Sequence, residues 1–142
     1  MEAIDGILQK ALSMGACEKS GGVTDWKTLV WLFFTPQGIE FCEKNNFPTL
    51  EMFKQIKDGV EAYNVFVNAG TQRRSNDSCV AFIGPESKGE LIYDDNSKVH
   101  KVIVMHGAQV NIVTRNYAVV RLINIGNNEV RKHRDKTSLI LE

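Results

Sequence analysis

The spacing of apolar residues along this chain changes once, near Lys57-Asp58-Gly59. Before that point it is helical. Ile4, Ile7, Leu8, Ala11 and Leu12 fall on one helix face, and Gly21-Gly22 closes that region. Asp25 is a predicted N-cap for a second helix that carries Leu29, Trp31, Leu32 and Phe33. Thr35-Pro36 supplies a cap followed by proline at the first helical position. The third helix then runs from Pro36 to about Lys44 with Ile39, Phe41 and Cys42, and Asn45-Asn46 ends it. Pro48-Thr49 opens a fourth, with Leu50, Phe53 and Ile56 on one side. Helices this short are marginal alone, so they must pack together or onto the rest of the chain.

After Gly59 the period falls to two. Tyr63, Val65, Val67 and Ala69 alternate with Asn64 and Asn68, interrupted by Phe66. Gly70–Asp77 is polar throughout and reads as a loop. Strands are predicted at Cys79–Ile83, Glu90–Tyr93, Val99–Met105, Ala108–Val113, Ala118–Ile123, Glu129–Lys132 and Leu139–Leu141. Gly84-Pro85, Asp94-Asp95-Asn96, His106-Gly107, Arg115-Asn116, Gly126-Asn127-Asn128 and Arg134-Asp135-Lys136 punctuate them.

Within these strands runs a ten-residue rhythm (118 − 108). Ala108-Gln-Val110 recurs as Ala118-Val-Val120, Asn128-Glu-Val130 and Ser138-Leu-Ile140. A short fixed period in β-prone sequence means stacked units, each burying its apolar face on the next. Two architectures fit. In a β-solenoid each ten is one flat side or part of a coil, with the small residue at a corner and the third residue stacked inward. In an antiparallel meander or sandwich, pairs such as Gly126-Asn127 make hairpins. The strictness of the repeat favours the solenoid, because stacked coils place equivalent side chains over one another. The fold class is therefore α+β, with a helical head or cap over 1–58 and a repetitive β domain over 59–142.

The chain's 142 residues suffice for one real core. Lys+Arg and Asp+Glu are equal at 17 each, so overall charge favours neither nucleic acid nor an anionic membrane. Acidic residues stand where a secretory leader needs basic ones, and Leu29–Phe34, the longest apolar run, is far too short to span a bilayer. Cys17, Cys42 and Cys79 are odd in number and widely spaced, as reduced cytoplasmic thiols are.

Chemistry-bearing patterns are sparse. His100, His106 and His133 lack the spacing of a zinc site, and His106 before Gly107 reads as a turn residue. Gly84-Pro-Glu-Ser-Lys-Gly89 lacks the ending of a phosphate loop and reads as a turn. Each cysteine reads as a buried, inert thiol. Trp26, Trp31, Phe33 and Phe34 read as core, with a partner groove as the alternative. No metal, cofactor or catalytic residue is assigned.

Asn111, Arg121 and Arg131 share one slot of the repeat, which predicts a column on an outer face with Arg115, Lys132, Arg134 and Lys136 near it. Such a basic stripe would bind phosphates. Otherwise it is a solvated face whose charges blunt sheet edges. The candidate partner-binding residues are Arg115, Arg121, Arg131 and Arg134.

Phe33-Phe-Thr-Pro-Gln-Gly-Ile-Glu-Phe-Cys42, Asn46-Phe-Pro48, Val104–Val110 and Asn116–Val120 resemble an uncharacterised family of small proteins from gut bacteria of the Bacteroides group. The resemblance covers most of the chain and implies a helical head with a repetitive β tail. It carries no activity and no site residues. The functional expectation is a cytoplasmic, non-enzymatic module that binds a protein partner or itself. Nucleic-acid binding around Arg121 and Arg131 is the second reading, an enzyme of unknown type the third.

Overall fold

Every strand pairing among the described residues is parallel. That rules out the meander, which requires antiparallel neighbours. The computed structural model describes Gly6 and residues 25–142. The helix predicted over Ile4–Leu12, the Gly21-Gly22 break and Cys17 lie outside the described residues.

Helices α1 (Trp26–Phe34), α2 (Pro36–Asn45) and α3 (Leu50–Val60) come first, followed by a single 3-10 turn, Glu61–Tyr63. Their starts follow the capping signals. The side chain of Asp25 accepts from Thr28 N, that of Thr35 from Gly38 N and that of Thr49 from Met52 N. Asn46, in the left-handed region with φ 48, ends α2.

Nine strands follow: β1 (Val65–Val67), β2 (Gly70–Ser75), β3 (Cys79–Ile83), β4 (Ser87–Tyr93), β5 (Val99–Met105), β6 (Gln109–Thr114), β7 (Val119–Ile125), β8 (Glu129–Arg134) and β9 (Leu139–Leu141). Odd strands form one sheet in the order β1-β3-β5-β7-β9, and even strands form a second in the order β2-β4-β6-β8. Successive strands thus alternate between two sheets, and the chain winds as a short β-solenoid. Each ten-residue unit of the sequence is one side of a coil. In the last coils the full turn is 20 residues (139 − 119), with Val119 beside Leu139 and Gln109 beside Glu129.

Strand side chains alternate between faces, so each strand contributes to two environments. Between the sheets lie Phe66, Val80, Phe82, Leu91, Tyr93, Val102, Val104, Val110, Ile112, Val120 and Leu122. Gly89 belongs to this inner layer. A Cβ there would stand 2.7 Å from Phe82 Cζ, so the missing side chain makes room for the Phe82 ring. Phe66 and Phe82 stack at 5.7 Å between centroids.

The helices cover the outer face of the odd-strand sheet along Val65, Val67, Ala81, Ile83, Ile103, Met105, Ile123 and Ile125. These form one apolar cluster with Val30, Phe34, Ile39, Cys42, Phe53, Ile56 and Val60. Lys101 Nζ donates to Phe34 O at 3.1 Å, and His106 Nε2 to Pro48 O at 2.7 Å, tying the helices to β5 and to the corner that follows it. The sequence places the helices as a head or cap on the repetitive β domain. They do pack on β1, but as a third layer that lies flat across several coils. The reason is that strands β3, β5 and β7 are apolar on both faces and need cover on both.

Three local expectations change. Gly70–Ser75 is a strand rather than a loop. It sits at the edge of its sheet with no apolar side to show, so pairing with Gly70↔Ser87 through Ser75↔Ile92 is what makes it a strand. The alternation over Tyr63–Ala69 shortens to Val65–Val67, because the residues before it complete a 3-10 turn. Trp31, placed with the aromatic core by its spacing, is 66% exposed, while α1 turns Val30 and Phe34 inward.

The register predicts opposite fates for neighbouring substitutions. Val120 is fully buried and Arg121 exposed. Val120→Asp should therefore cost several kcal/mol as an unpaired buried carboxylate, and Arg121→Asp well under ~1 kcal/mol. Paired thermal melts read this directly; equal losses would mean the two residues do not face opposite ways.

Candidate functional site

The inner face of the even-strand sheet turns polar at both ends of the stack. At the first coil, Arg74 takes the inward position beside Leu91. Its guanidinium lies over the Phe66 ring at 5.3 Å, pairs with Asp77 at 2.6 Å and reaches Asn64 Oδ1 at 3.2 Å. At the last coil, Lys132 stands beside Ile112 and Arg134 beside Thr114. Lys132 Nζ lies 3.0 Å from a Glu142 carboxylate oxygen, and Arg134 Nη1 donates to Ser138 O at 3.1 Å. Inward-pointing charges of this kind keep sheet edges from pairing indiscriminately.

The corners are held by side chains that replace backbone partners. Asn76 Oδ1 accepts from Asp94 N and Asp95 N, and Asn116 Nδ2 donates to Asp94 O. Asn128 Oδ1 accepts from Gly107 N at 2.6 Å, while its Nδ2 donates to Val104 O and Ile125 O. Asn68, Asn76 and Asn116 all have positive φ, which asparagine tolerates better than most residues. The Gly84–Gly89 segment is a corner running into β4. Ser87 Oγ is buried and donates to Phe66 O at 2.9 Å.

The four candidate arginines do not form one column. Arg131 stands beside Asn111 in the even-strand sheet, whereas Arg121 stands between Lys101 and Leu141 in the odd-strand sheet. A ten-residue step moves a side chain to the opposite sheet, so Arg121 and Arg131 face opposite ways. Arg115 is at a corner, 3.6 Å from Asp94, and Arg134 is at the polar end described above. The basic stripe predicted from the repeat is therefore absent. On the outer face of the even-strand sheet the column is instead Arg73, Glu90, Asn111, Arg131, and Arg73 pairs with Glu90 at 2.6 Å.

The three histidines lie in three separate places. His100 is buried between the sheets, His106 is at a corner against Phe53, and His133 is exposed on β8. Among the described residues no group of His, Cys, Asp and Glu could hold a metal. Burial pushes the Cys42 thiol up to about 12, with Glu43 adding to the effect, so it is a poor nucleophile at neutral pH. Cys79 is raised as well, chiefly by burial.

Among the described residues, one apolar surface stays open. Val99, Val119 and Leu139 stand side by side on the outer face of the odd-strand sheet. Val99 is 55% exposed, Leu139 47% and Leu141 49%. Leu139 and Leu141 belong to β9, beyond which no described strand pairs. Sequence reasoning found β9 as a strand but could not show it to be an edge, because edge position depends on the order of strands in the sheet. Among the described residues, no helix is long and apolar enough to cross a membrane. The chain matches no protein-family model, no curated protein and no solved structure.

The corner carboxylates predict an acid dependence of stability. The Asp135 carboxyl is held down to about 2, first by its hydrogen bond from the Thr137 hydroxyl and then by bonds from Thr137 N and Ser138 N. A carboxyl lowered in the folded state adds stability above its unfolded value, and that stability is lost as pH falls through the folded value. Between about pH 4 and pH 2 the melting temperature should therefore fall. Asp135→Asn should reduce the slope without abolishing it, because Asp94 and Asp95 are lowered too. An unchanged slope in the variant would remove Asp135 from the account.

Proposed function

We propose that this protein is a non-enzymatic recognition module that binds a partner protein by accepting an extended segment onto β9. One observation carries the reading: among the described residues, of the four edge strands β9 alone lacks a device against pairing. The helical layer lies against β1, and the three residues of β1 are buried. β2 is polar and closed by Arg74. β8 turns Lys132 and Arg134 inward. β9 is Leu-Ile-Leu, with no charge of its own.

Its backbone is suitably disposed. Leu139 N donates to Ala118 O at 3.0 Å. Strand alternation then turns the Ile140 N–H and C=O away from β7 toward the open edge. An added strand would bond there, with its outward side chains beside Leu139 and Leu141, extending the Val99–Val119–Leu139 row. Strand addition of this kind takes affinity from main-chain bonds and specificity from alternate side chains. A partner protein and a second copy of this chain use the same edge. The nucleic-acid reading has less support, because Arg121 and Arg131 face opposite ways.

Selection of binders from a displayed library of ten-residue peptides tests the proposal, alongside light scattering over a range of protein concentration. Binding or self-association should weaken about tenfold or more, ~1.4 kcal/mol per decade, in Ile140→Pro and in the double variant Leu139→Lys/Leu141→Lys. Arg121→Glu and Arg131→Glu should leave it unchanged. Binders that tolerate both β9 variants would refute the reading. Salt-sensitive binding lost with either arginine would favour a polyanionic partner.

A further inference from the structure

Resting on the proposal that β9 is the receiving edge, we infer that the segment it accepts belongs to a different protein and carries an acidic residue beside Ile140, flanked by apolar residues. Ile140 points into the interior, while Leu139 and Leu141 are exposed on the outer face. β8 ends at Arg134, and the chain turns back into β9 at Leu139. The two strands therefore oppose one another across the interior. Beside the corner, Arg134 Nη1 donates to Ser138 O at 3.1 Å. At the far end of β9, Lys132 Nζ lies 3.0 Å from a Glu142 carboxylate oxygen. Ile140 lies between Ser138 and Glu142, so both cations border the inward position that an added strand would place next to it.

The charges at this end do not balance. Glu142 engages Lys132, whereas Arg134 meets a neutral carbonyl. Asp135 is committed to the corner, where it accepts from the Thr137 hydroxyl, Thr137 N and Ser138 N. Glu129 pairs with Arg131, whose place on the strand is the outer face. Among the described residues, Arg134 therefore has no carboxylate partner. It is exposed, so solvent stabilises it. A strand added to β9 closes the interior over this end and removes that solvent. A cation covered in this way is costly unless it is paired and hydrogen-bonded.

That cost selects the occupant. An apolar residue beside Ile140 would leave Arg134 covered and unpaired, and a basic one would add repulsion. An aspartate or glutamate supplies the missing charge, and the guanidinium has N–H donors to spare for it. The first coil holds the same solution within the chain, where inward Arg74 pairs with Asp77 at 2.6 Å. A second copy offering its own β9 would bring Ile140 to the acidic position and add its own Lys132 and Arg134, so edge-to-edge pairing of two copies is disfavoured. The flanking residues continue the apolar Val99–Val119–Leu139 row outside. Recognition thus reads three successive residues, apolar, acidic and apolar.

Selection of displayed ten-residue peptides on the full chain tests this. Peptides whose binding is lost in Leu139→Lys/Leu141→Lys should share such a triplet, with aspartate or glutamate at its centre enriched about tenfold or more over the starting library. Changing that acid to Gln, or moving it one residue along onto the outer face, should weaken binding to the wild type about tenfold or more. Arg134→Met should bind the acidic and Gln peptides alike. The peptide comparison on the wild type stands even if that variant fails to fold. β9-dependent peptides without an acidic centre would overturn this inference and leave β9 as the receiving edge. Equal affinity of acidic and Gln peptides for the wild type, or an undiminished preference for the acid in Arg134→Met, would do the same. Failure to isolate any β9-dependent peptide would overturn both readings.

Discussion

Parallel in-register stacking is the constraint on which the rest of this molecule depends. Because Val99 lies beside Val119 and Val119 beside Leu139, whatever a coil places at one position, the next must place there too, or fill the same space another way. Apolar columns solve this in the interior. The exceptions are informative: Gly89 yields its space to Phe82, and the Thr114 and Ser138 hydroxyls, both buried, bond each other at 2.7 Å. The paired hydroxyls satisfy one another, as buried polar groups require, whereas the buried Tyr93 hydroxyl has no hydrogen-bond partner among the described residues.

The same constraint explains why the helices lie where they do. A parallel strand buried on both faces reads as a continuous apolar run rather than an alternating one. Val102 through Met105 is such a run, and so is Val80 through Ile83. The even-strand sheet needs no second layer: Ser87–Tyr93 alternates strictly between buried and exposed. The described residues therefore form three layers, and their helical and β parts share one apolar cluster.

Much of this was legible in the sequence, and the failures have physical causes. Helix starts were readable because Asp25, Thr35 and Thr49 act through local hydrogen bonds. The solenoid was readable because its last coils are regular. The first coils are not: Val65 pairs with Ala81 and Cys79 with Lys101, steps of 16 (81 − 65) and 22 (101 − 79) residues. No fixed period could reveal β2, whose side chains are polar. The repeat also misled in one respect. A ten-residue step relates two sides of one coil, not two coils, so it gave the correct inward and outward sense for Val120 and Arg121 but the wrong neighbour for Arg121. Long-range pairs such as His100 with Asp77 and Asp95 left no trace in spacing, because corner geometry creates them.

The helical layer also governs how the solenoid would respond to mechanical load. It forms a common cluster with β1, β3, β5 and β7 but not with β9. Contacts in a stacked fold run between nearest neighbours, so tension applied along the axis is carried coil by coil. Among the described residues the final coil is held by the bonds of β8 to β6 and of β9 to β7, so it would detach before the coils the helices cover. The coils behind it are spliced together by the helices and would have to shear a packed apolar face as well as their strand bonds. Among the described coils the stack is thus mechanically graded, softest at the coil the helices do not reach.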